Sequence, residues 1–432
     1  MSSLLLAVAV SMLPAARADD SSAIVVSDKT HHLGVAGKPE WEEFAAHPPE
    51  GTRLELRFNA KAREHEATLL LRQRDVKLDW EVRLNGRTLG RLPVHDSPLW
   101  HAIAVPAGLV AEGPNSLAIN PGSGSDDIEV GPIRLELRPL AEALNRASLD
   151  VRVRDEDSRS SLPCRITVVD ETDALAPLSA RPQDRLAARA GVVYTPDGRA
   201  KVGLSPGHYR VFATRGLEYG MSTARVSLAA GETREVQLAI RREVPTPGWV
   251  ACDTHVHTLT FSGHGDATIQ ERVVTLAGEA IELPIATDHN HFTDLAPVAE
   301  TMGVRRHFTP VVGDEVTTAI GHFNAFPFAS EESVPDARLA DWPSLLRSIR
   351  SNRPERIVLL NHPRDNHGGF RPFDPARFNE VTGDLEPWDD VELDGVEVIN
   401  SGALRSDPLE PFRDWFALLN HGRRITAVGS SD

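Results

Sequence analysis

The sequence predicts a multidomain protein in which two all-β domains precede an α/β domain built on a parallel sheet. The first observation is length, since 432 residues exceed what one hydrophobic core usually holds. The second is that short strands of alternating polarity, separated by Gly, Pro and Asn turns, fill two stretches before residue 241. The third is that apolar strands alternate with helices after residue 248, which predicts a parallel β/α array, open or closed into a barrel.

The first 48 residues predict a signal peptide over residues 1–18 and a polar linker over residues 19–48. An apolar run over residues 4–13 is followed by Ala16-Arg17-Ala18, which is typical of a cleavage site. The start of the chain carries no Lys or Arg, so a disordered apolar N-terminus or a misplaced start codon is the alternative. We therefore expect a secreted or periplasmic protein, and no other segment is long and apolar enough for a transmembrane helix.

Residues 49–140 predict a β sandwich or jelly roll. Polarity alternates over residues 79–84 and leads into Asn85-Gly86, a strong hairpin signal. The segment over residues 82–90 resembles the carbohydrate-binding jelly rolls of secreted enzymes, which makes a carbohydrate a candidate partner. The aromatic residues that could stack on a sugar, although such residues more often belong to the core, are Trp80, Trp100 and His101.

Residues 148–240 predict a second β sandwich. A Pro206-Gly207 turn leads into a strand containing Tyr209, a pattern similar to the transthyretin-like, carboxypeptidase-regulatory sandwich. No chemistry is indicated here, so a spacer is expected. Cys164 lies in this domain and Cys252 in the next, which favours two buried free thiols over a disulfide.

The charge balance excludes one class of partner. The formal net charge is −16, with 46 Lys and Arg against 62 Asp and Glu. A protein that binds a nucleic-acid backbone needs clustered Lys and Arg, so no nucleic-acid partner is predicted.

Histidine or carboxylate side chains follow nearly every strand predicted after residue 248. The carboxyl ends of parallel strands meet at one edge of a sheet, where functional residues usually lie. A histidine-rich set with carboxylates and no cysteine suits Zn, Mn or Fe(II) and suits Ca poorly. These candidate residues are His255, His257, Asp288, His289, Glu315, His322, Asn361, His362 and Asp432.

Several of these motifs, in order, resemble the polymerase and histidinol phosphatase (PHP) superfamily. They are His-x-His at 255–257, Thr-Asp-His at 287–289, Gly-x-Glu at 313–315, His-Pro at 362–363 and the late Asp432. The run from residue 253 to residue 290 resembles the carbaryl-hydrolase branch. The resemblance covers residues 249–432 and implies a distorted, TIM-like β/α barrel with two or three divalent cations (Zn, Mn or Fe).

The resemblance also implies how the cations are shared among the side chains. The family usually has Ser-Asp-Gly in the turn after the first strand, where this chain has residues 262–266, and the family's spacing favours His264 over Asp266. The implied ligands are His255, His257, Glu315 and Asp432 for one cation, Glu315, His322 and His362 for the second, and His289 with His264 or Asp266 for the third. The family's last motif is Asp-x-His, so we expect a truncated domain that lacks one ligand of the third cation.

The predicted function is that of a secreted metal-dependent hydrolase. Phosphoester hydrolysis is the first expectation, carbamate, ester or amide hydrolysis the second, and a catalytically impaired surface- or glycan-binding protein the third. The expected substrate is a small-molecule phosphoester, carbamate or ester. Glu315 and Asp432 are the predicted catalytic residues, and Arg364 is a candidate for binding a substrate phosphate, although a loop arginine is more often simply solvated.

Overall fold

The computed structural model describes residues 23–40, 47–181, 185–386, 392–404 and 407–432. The predicted signal peptide and parts of the predicted linker lie outside the described residues. Strands account for 41% of the described residues and helices for 13%. None of the described helices is long and apolar enough to cross a membrane. The chain divides into two compact units. The first ends at Ala143 and leaves out residues 94–100. The second contains residues 94–100 and Leu144–Asp432.

The first unit is a pair of β sheets around one apolar core. Its elements are β1 (Ala23–Ser27), β2 (His31–Leu33), β3 (Leu54–Ala60), β4 (Ala67–Arg74), β5 (Trp80–Leu84), β6 (Arg87–Arg91), β7 (Leu99–Val105), β8 (Gly113–Pro121), β9 (Ile128–Glu136) and α1 (Leu140–Ala143). One sheet has the order β1-β9-β4-β7, with β2 also on β9, and the other has the order β3-β8-β5-β6. Along β5, Trp80, Val82 and Leu84 are buried while the residues between them are half-buried, as the alternating pattern requires. The turn between β5 and β6 has φ values of 49° at Asn85 and 79° at Gly86, which confirms the predicted hairpin.

The first part of the second unit is another pair of sheets. Its strands are β10 (Ala147–Asp155), β11 (Cys164–Asp170), β12 (Ser179–Ala180), β13 (Ala187–Arg189), β14 (Val192–Thr195), β15 (Arg199–Leu204), β16 (Gly207–Thr214), β17 (Ser222–Leu228) and β18 (Thr233–Ile240). They form sheets of order β12-β15-β10-β18 and β13-β14-β11-β16-β17. Val151 and Val202 of the first sheet share a core with Ile166 and Val211 of the second, which makes this region a sandwich.

The rest of the second unit carries the histidine-rich motifs. Its strands are β19 (Cys252–Val256), β20 (Leu283–Ala286), β21 (Val311–Val312), β22 (Asp314–Thr318), β23 (Gly321–Phe326), β24 (Ile357–Leu360), β25 (Phe378–Asn379), β26 (Asp384–Leu385), β27 (Gly395–Ile399) and β28 (Thr426–Gly429). Its helices are α2 (Leu259–Ser262), α3 (Ile269–Gly278), α4 (Ala296–Met302), α5 (Trp342–Arg350) and α6 (Glu410–Asn420), with 3-10 turns at Arg305–His307 and Ser401–Leu404. Thr268 and Glu271 form the predicted capping box at the start of α3. Cys164 is buried and free, whereas Cys252 is free but exposed, so the prediction of a second buried thiol is wrong.

The expected distorted β/α barrel is wrong. The described strands of this region form a three-stranded parallel sheet, β19-β20-β21, a five-stranded mixed sheet, β22-β23-β24-β27-β28, and the small pair β25-β26. β23 runs antiparallel to both neighbours because a tight turn at Ala319-Ile320 replaces the crossover helix that a barrel needs. An apolar run has the same composition in parallel and antiparallel strands, so the sequence pattern did not reveal this reversal.

The two larger sheets meet where the candidate ligands lie. An isolated parallel bridge pairs His289, just after β20, with Glu315 in β22. The backbone N–H of Asp432, just after β28, donates to the carbonyl of His255 in β19 at 2.9 Å. Backbone hydrogen bonds therefore hold the strand ends together without a closed ring of strands.

Candidate metal centre

Six strands deliver the candidate ligands to one place. Four of them do so at or just after their carboxyl ends, as parallel strands should. β22 holds Glu315 near its start, and β23, which is antiparallel, presents His322 from its own start, opposite Thr317. The ligand-bearing positions are His255 and His257 on β19, His289 after β20, Glu315 on β22, His322 on β23, His362 after β24 and Asp432 after β28.

The carboxylate of Glu315 lies among five imidazoles. Its side chain is fully buried. Oε1 lies 3.4 Å from His255 Nε2, 3.1 Å from His322 Nδ1 and 3.1 Å from His362 Nε2, while Oε2 lies 3.3 Å from His257 Nε2 and 2.6 Å from His289 Nδ1. Both oxygens are therefore positioned as those of a carboxylate that bridges cations would be.

The ring orientations of His255 and His257 leave two lone pairs facing each other. Nδ1 of His255 donates to Glu397 at 2.9 Å, so its Nε2 carries no proton in the neutral ring. Nδ1 of His257 lies 3.0 Å from the hydroxyl of Ser262. Because the Ser262 hydroxyl donates its proton to Asp288 at 2.6 Å, the Ser262 oxygen accepts a hydrogen bond from His257 Nδ1. The two Nε2 atoms are 3.0 Å apart. Two bare nitrogens at this distance repel unless a cation, a proton or a metal, lies beside them.

His264 and His289 repeat this arrangement. Nδ1 of His289 lies 2.7 Å from Thr317 Oγ1, and Thr317 donates to the carbonyl of Glu315 at 3.1 Å, so His289 is the donor of the first bond. The Nε2 atoms of His264 and His289 are then 2.6 Å apart. Asp266 instead pairs with Arg189 at 3.1 Å, so the structure brings His264, and not Asp266, to this group.

The donor set fits divalent cations on two grounds. Among the described residues, the expected ligands form three groups of three in which each residue has a possible ligand atom within 4.8 Å of those of the other two. The groups are His257, His264 and His289; His255, His257 and Glu315; and His255, His362 and Asp432. His362 Nδ1 is buried and lacks a hydrogen-bond partner within the described parts of the chain. Imidazole and carboxylate donors without thiolate suit Zn, Mn or Fe.

The pKa shifts of the buried carboxylates and imidazoles reflect the strong electrostatic coupling between them. Burial would raise the pKa of Glu315, but hydrogen bonds from the surrounding imidazoles outweigh it and hold this pKa well below its usual range. Burial would lower the pKa of His255, but Glu397 and Glu315 raise it well above its usual value. Despite burial, His257 and the charges of His255 and His362 lower the pKa of Asp432 to about 2. The cluster therefore holds protons when it holds no metal.

Glu397 is a buried carboxylate that the sequence reasoning missed. It accepts from His255 Nδ1, from the backbone N–H of His362 at 2.9 Å, from Asn400 at 2.9 Å and from the hydroxyl of Ser430. A carboxylate behind a metal-binding histidine fixes the ring orientation and raises the basicity of the ligand. The available signal was an acidic residue within the otherwise apolar strand Gly395–Ile399.

Arg364 lines a cavity with His362 and Glu397, but its guanidinium is already paired with carboxylates. Its guanidinium makes two hydrogen bonds to the fully buried Asp414, at 2.7 and 2.6 Å, and lies 3.2 Å from Glu410. These carboxylates, which belong to α6, already occupy the N–H groups of Arg364. The geometry therefore favours a structural role for Arg364, in holding α6, over the expected contact with a substrate phosphate.

Both tryptophans considered for sugar binding donate their indole N–H to a carboxylate of the protein. Trp80 is only 1% exposed, and its indole N–H donates to Asp126 at 2.9 Å inside the core of the first unit. Trp100 donates to Asp170 at 2.8 Å in the second unit. Trp80 therefore offers no face to a sugar.

Comparison with known proteins assigns no family. No family model and no curated protein matches the chain. Among solved structures, a Faecalibacterium prausnitzii β-glucuronidase is 12% identical, with 68% of this chain and 60% of that chain covered and a TM-score of 0.20. A β-galacturonidase from Eisenbergiella tayi bound to glycerol is 9% identical, with 66% and 55% covered and a TM-score of 0.19. The CBM36-1 domain of a xylanase from the Trinervitermes trinervoides hindgut metagenome is 12% identical, with 24% and 97% covered and a TM-score of 0.15.

These likenesses are too low to carry an argument about fold or function. The chain spans about 60% and 55% of the lengths of the two glycosidases. The PHP-domain prediction is corrected on the structure itself, because β sandwiches dominate the chain and no barrel encloses the histidines in its described part. The preference for phosphoesters came from that superfamily alone, so it is withdrawn with the barrel.

Proposed function

We propose that this protein is a metal-dependent hydrolase whose histidine and carboxylate centre holds two or three divalent cations. The observation that carries the proposal is the buried carboxylate of Glu315 with five imidazoles around it. A salt-bridge network meant only for stability would not need close Nε2–Nε2 contacts, which occur at both His255–His257 and His264–His289.

The chain's own residues supply the positioning. Glu315 bridges the two halves of the cluster, and Asp432 Oδ1 lies 3.4 Å from His255 Nε2 and 3.3 Å from His257 Nε2. Glu397 holds His255 from behind, and the Ser262–Asp288 pair holds His257. Cations bound at such a centre make water nucleophilic near neutral pH and stabilise the negative charge that develops during hydrolysis.

A cavity beside the centre favours one class of substrate. It has a volume of about 290 Å³ and is lined by His362 and Glu397 of the centre together with Asp365, Asp407 and Arg364. Among the described residues of this lining, the guanidinium of Arg364 is already paired with Asp414, and the carboxylate of Asp365 is exposed. On this ground we place a neutral ester, amide or carbamate before a phosphate monoester as the substrate class to test.

The experiment compares matched 4-nitrophenyl substrates with protein reconstituted in Zn²⁺, Mn²⁺ or Fe²⁺. An acetate, an N-methylcarbamate, a phosphate and a β-glucuronide release the same chromophore, so their kcat/KM values compare directly. We expect turnover of the acetate or carbamate and little of the phosphate. Glu315→Gln should abolish turnover, whereas Glu392→Gln, an exposed site just before β27, should leave it unchanged.

Three outcomes would contradict the proposal. A protein that binds no divalent cation under chelator-free conditions would remove its basis. A protein that binds cations but cleaves none of the four substrates would exclude hydrolysis of these classes. Cleavage of the glucuronide by the Glu315→Gln variant would indicate a glycosidase that works without this centre.

A further inference from the structure

A further histidine, His367, lies beside His322 on a tight hairpin that no sequence motif indicated. The backbone N–H of His367 donates to the carbonyl of Phe370 at 2.7 Å, and that of Phe370 donates back at 3.1 Å. Between them, Gly368 and Gly369 have φ values of 60° and 94°, a conformation that favours glycine. Asn366 accepts from the N–H of Gly369 at 2.8 Å. The hairpin therefore holds the His367 backbone in a defined position.

The imidazole of His367 packs against two expected ligands. Its ring centroid is 3.9 Å from that of His322, with the planes tilted by 38°, and 5.1 Å from that of His362. The residue is 8% exposed. One nitrogen from each of these three rings lies within 4.8 Å of the others, so a single ion could contact all three.

The Nε2 atom of His367 is buried and lacks a hydrogen-bond partner among the residues that the structure describes. A buried polar atom without a partner is costly, so an atom of this kind usually has a ligand or a function. Nδ1 of His362 is in the same condition, although Asp365 Oδ2 lies 3.7 Å from it. The Nε2 atom of His362 faces Glu315, so a cation held there would leave Nδ1 of His362 to Asp365. The Nε2 of His367, unpartnered among the described residues, is therefore the atom that points to an additional ligand.

We propose that His367 is a ligand of the cation that His322 and His362 hold. This inference rests on the proposed metal centre and adds one protein ligand to it. With Glu315, which approaches both His322 and His362 at 3.1 Å, the set becomes three imidazoles and one carboxylate, the number that a tetrahedral Zn²⁺ site uses. His367 and His362 would be carried by the loop after β24, and Glu315 and His322 by strands.

Cobalt spectroscopy tests the assignment without relying on activity. The visible absorption of Co²⁺ depends on the number and type of its ligands, and competition with a chelator gives the affinity of each bound ion. We expect His367→Ala to weaken one cation about 10- to 100-fold and to change its absorption band, while the other cations keep their affinities. His367→Gln keeps most of the side-chain volume and serves as the second variant if the alanine variant does not fold.

The matched control is His208→Ala, which removes an exposed histidine from β16 of the second sandwich and should change nothing. An unchanged Co²⁺ spectrum and unchanged affinities in a folded His367 variant would overturn this inference and leave the proposed centre intact. Wild-type protein that binds no Co²⁺ at all would instead overturn the proposed function. The two failures are therefore distinguishable.

Discussion

Nδ1 of His255 donates to Glu397 at 2.9 Å, and the side chains of both residues are almost fully buried, so this bond sets the direction of the His255 lone pair. Glu397→Gln should keep the shape of this contact but lose its charge and place an N–H₂ group among donors. We expect metal affinity to fall about 10- to 100-fold. Chelator competition measures the loss, with Glu392→Gln as the exposed control. Equal affinities in the two variants would show that Glu397 does not act on the metal.

The turn after β19 allows a test of which side chain serves the third cation. His264→Ala removes the nitrogen that lies 2.6 Å from His289, so it should lower the affinity of the cation that His289 would hold. Asp266→Ala breaks only an exposed pair with Arg189, worth about 1 kcal/mol or less, and should leave metal content unchanged. Metal analysis after dialysis against a weak chelator separates the two. Loss of metal in the Asp266 variant alone would reverse this assignment.

Arg364 should matter for stability rather than for substrate binding. Arg364→Met leaves the fully buried Asp414 without its cationic partner, which costs about 3–5 kcal/mol. We expect a lower urea midpoint for the second unit and an unchanged KM for any substrate that is found. The double variant Arg364→Met with Asp414→Leu should recover much of the loss, because no buried charge is then left unpaired. A raised KM with unchanged stability would return Arg364 to the substrate site.

The core of the first unit depends on one buried carboxylate. Asp126 Oδ2 accepts from the Trp80 indole at 2.9 Å and from the backbone N–H groups of Lys77 at 3.1 Å and Leu78 at 2.9 Å. Asp126→Ala leaves these donors unsatisfied, and we expect it to cost about 3 kcal/mol. Asp126→Asn keeps an acceptor and should cost less. Trp fluorescence during denaturation reports the change, and equal midpoints for the two variants would contradict this explanation.

The acid sensitivity of the second unit should depend partly on His307. Burial and the charges of Arg215 and Arg306 lower the pKa of His307 to about 4 in the folded state, against 6.5 normally. Below pH 6.5 the unfolded chain therefore binds a proton more readily than the folded chain, so stability is full above pH 6.5 and falls as the pH drops towards 4. His307→Gln keeps an acceptor for Arg306, which donates to His307 at 3.2 Å. Urea midpoints at pH 7 and pH 5 should differ less in this variant than in the wild type.

The residues that lie at strand ends were accessible from the sequence, and those that support them were not. His255, His257 and Asp432 follow apolar strands, and a polar residue after an apolar run is visible without knowing the fold. Glu397 escaped notice because its role depends on partners far along the chain. His367 was visible only as one residue of a polar, glycine-containing loop, because its contact with His322 depends on a hairpin that the sequence does not show. The family resemblance implied a barrel, and the apolar runs before Glu315 and after His322 carry no sign of strand direction that would have argued against it. In the structure, the two-residue turn between β22 and β23 reverses the chain and makes these strands antiparallel.

The candidate metal ligands are separated by very different distances along the chain. Glu315 and His322 are 7 residues apart on one hairpin, so bringing them together costs little loop-closure entropy. The hydroxyl of Ser431 donates to the carbonyl of His255 across 176 residues. The hairpin pair can therefore form early in folding, whereas the remaining ligands assemble only when distant parts of the unit have met. Tight metal binding would then indicate that the whole second unit has reached its native fold.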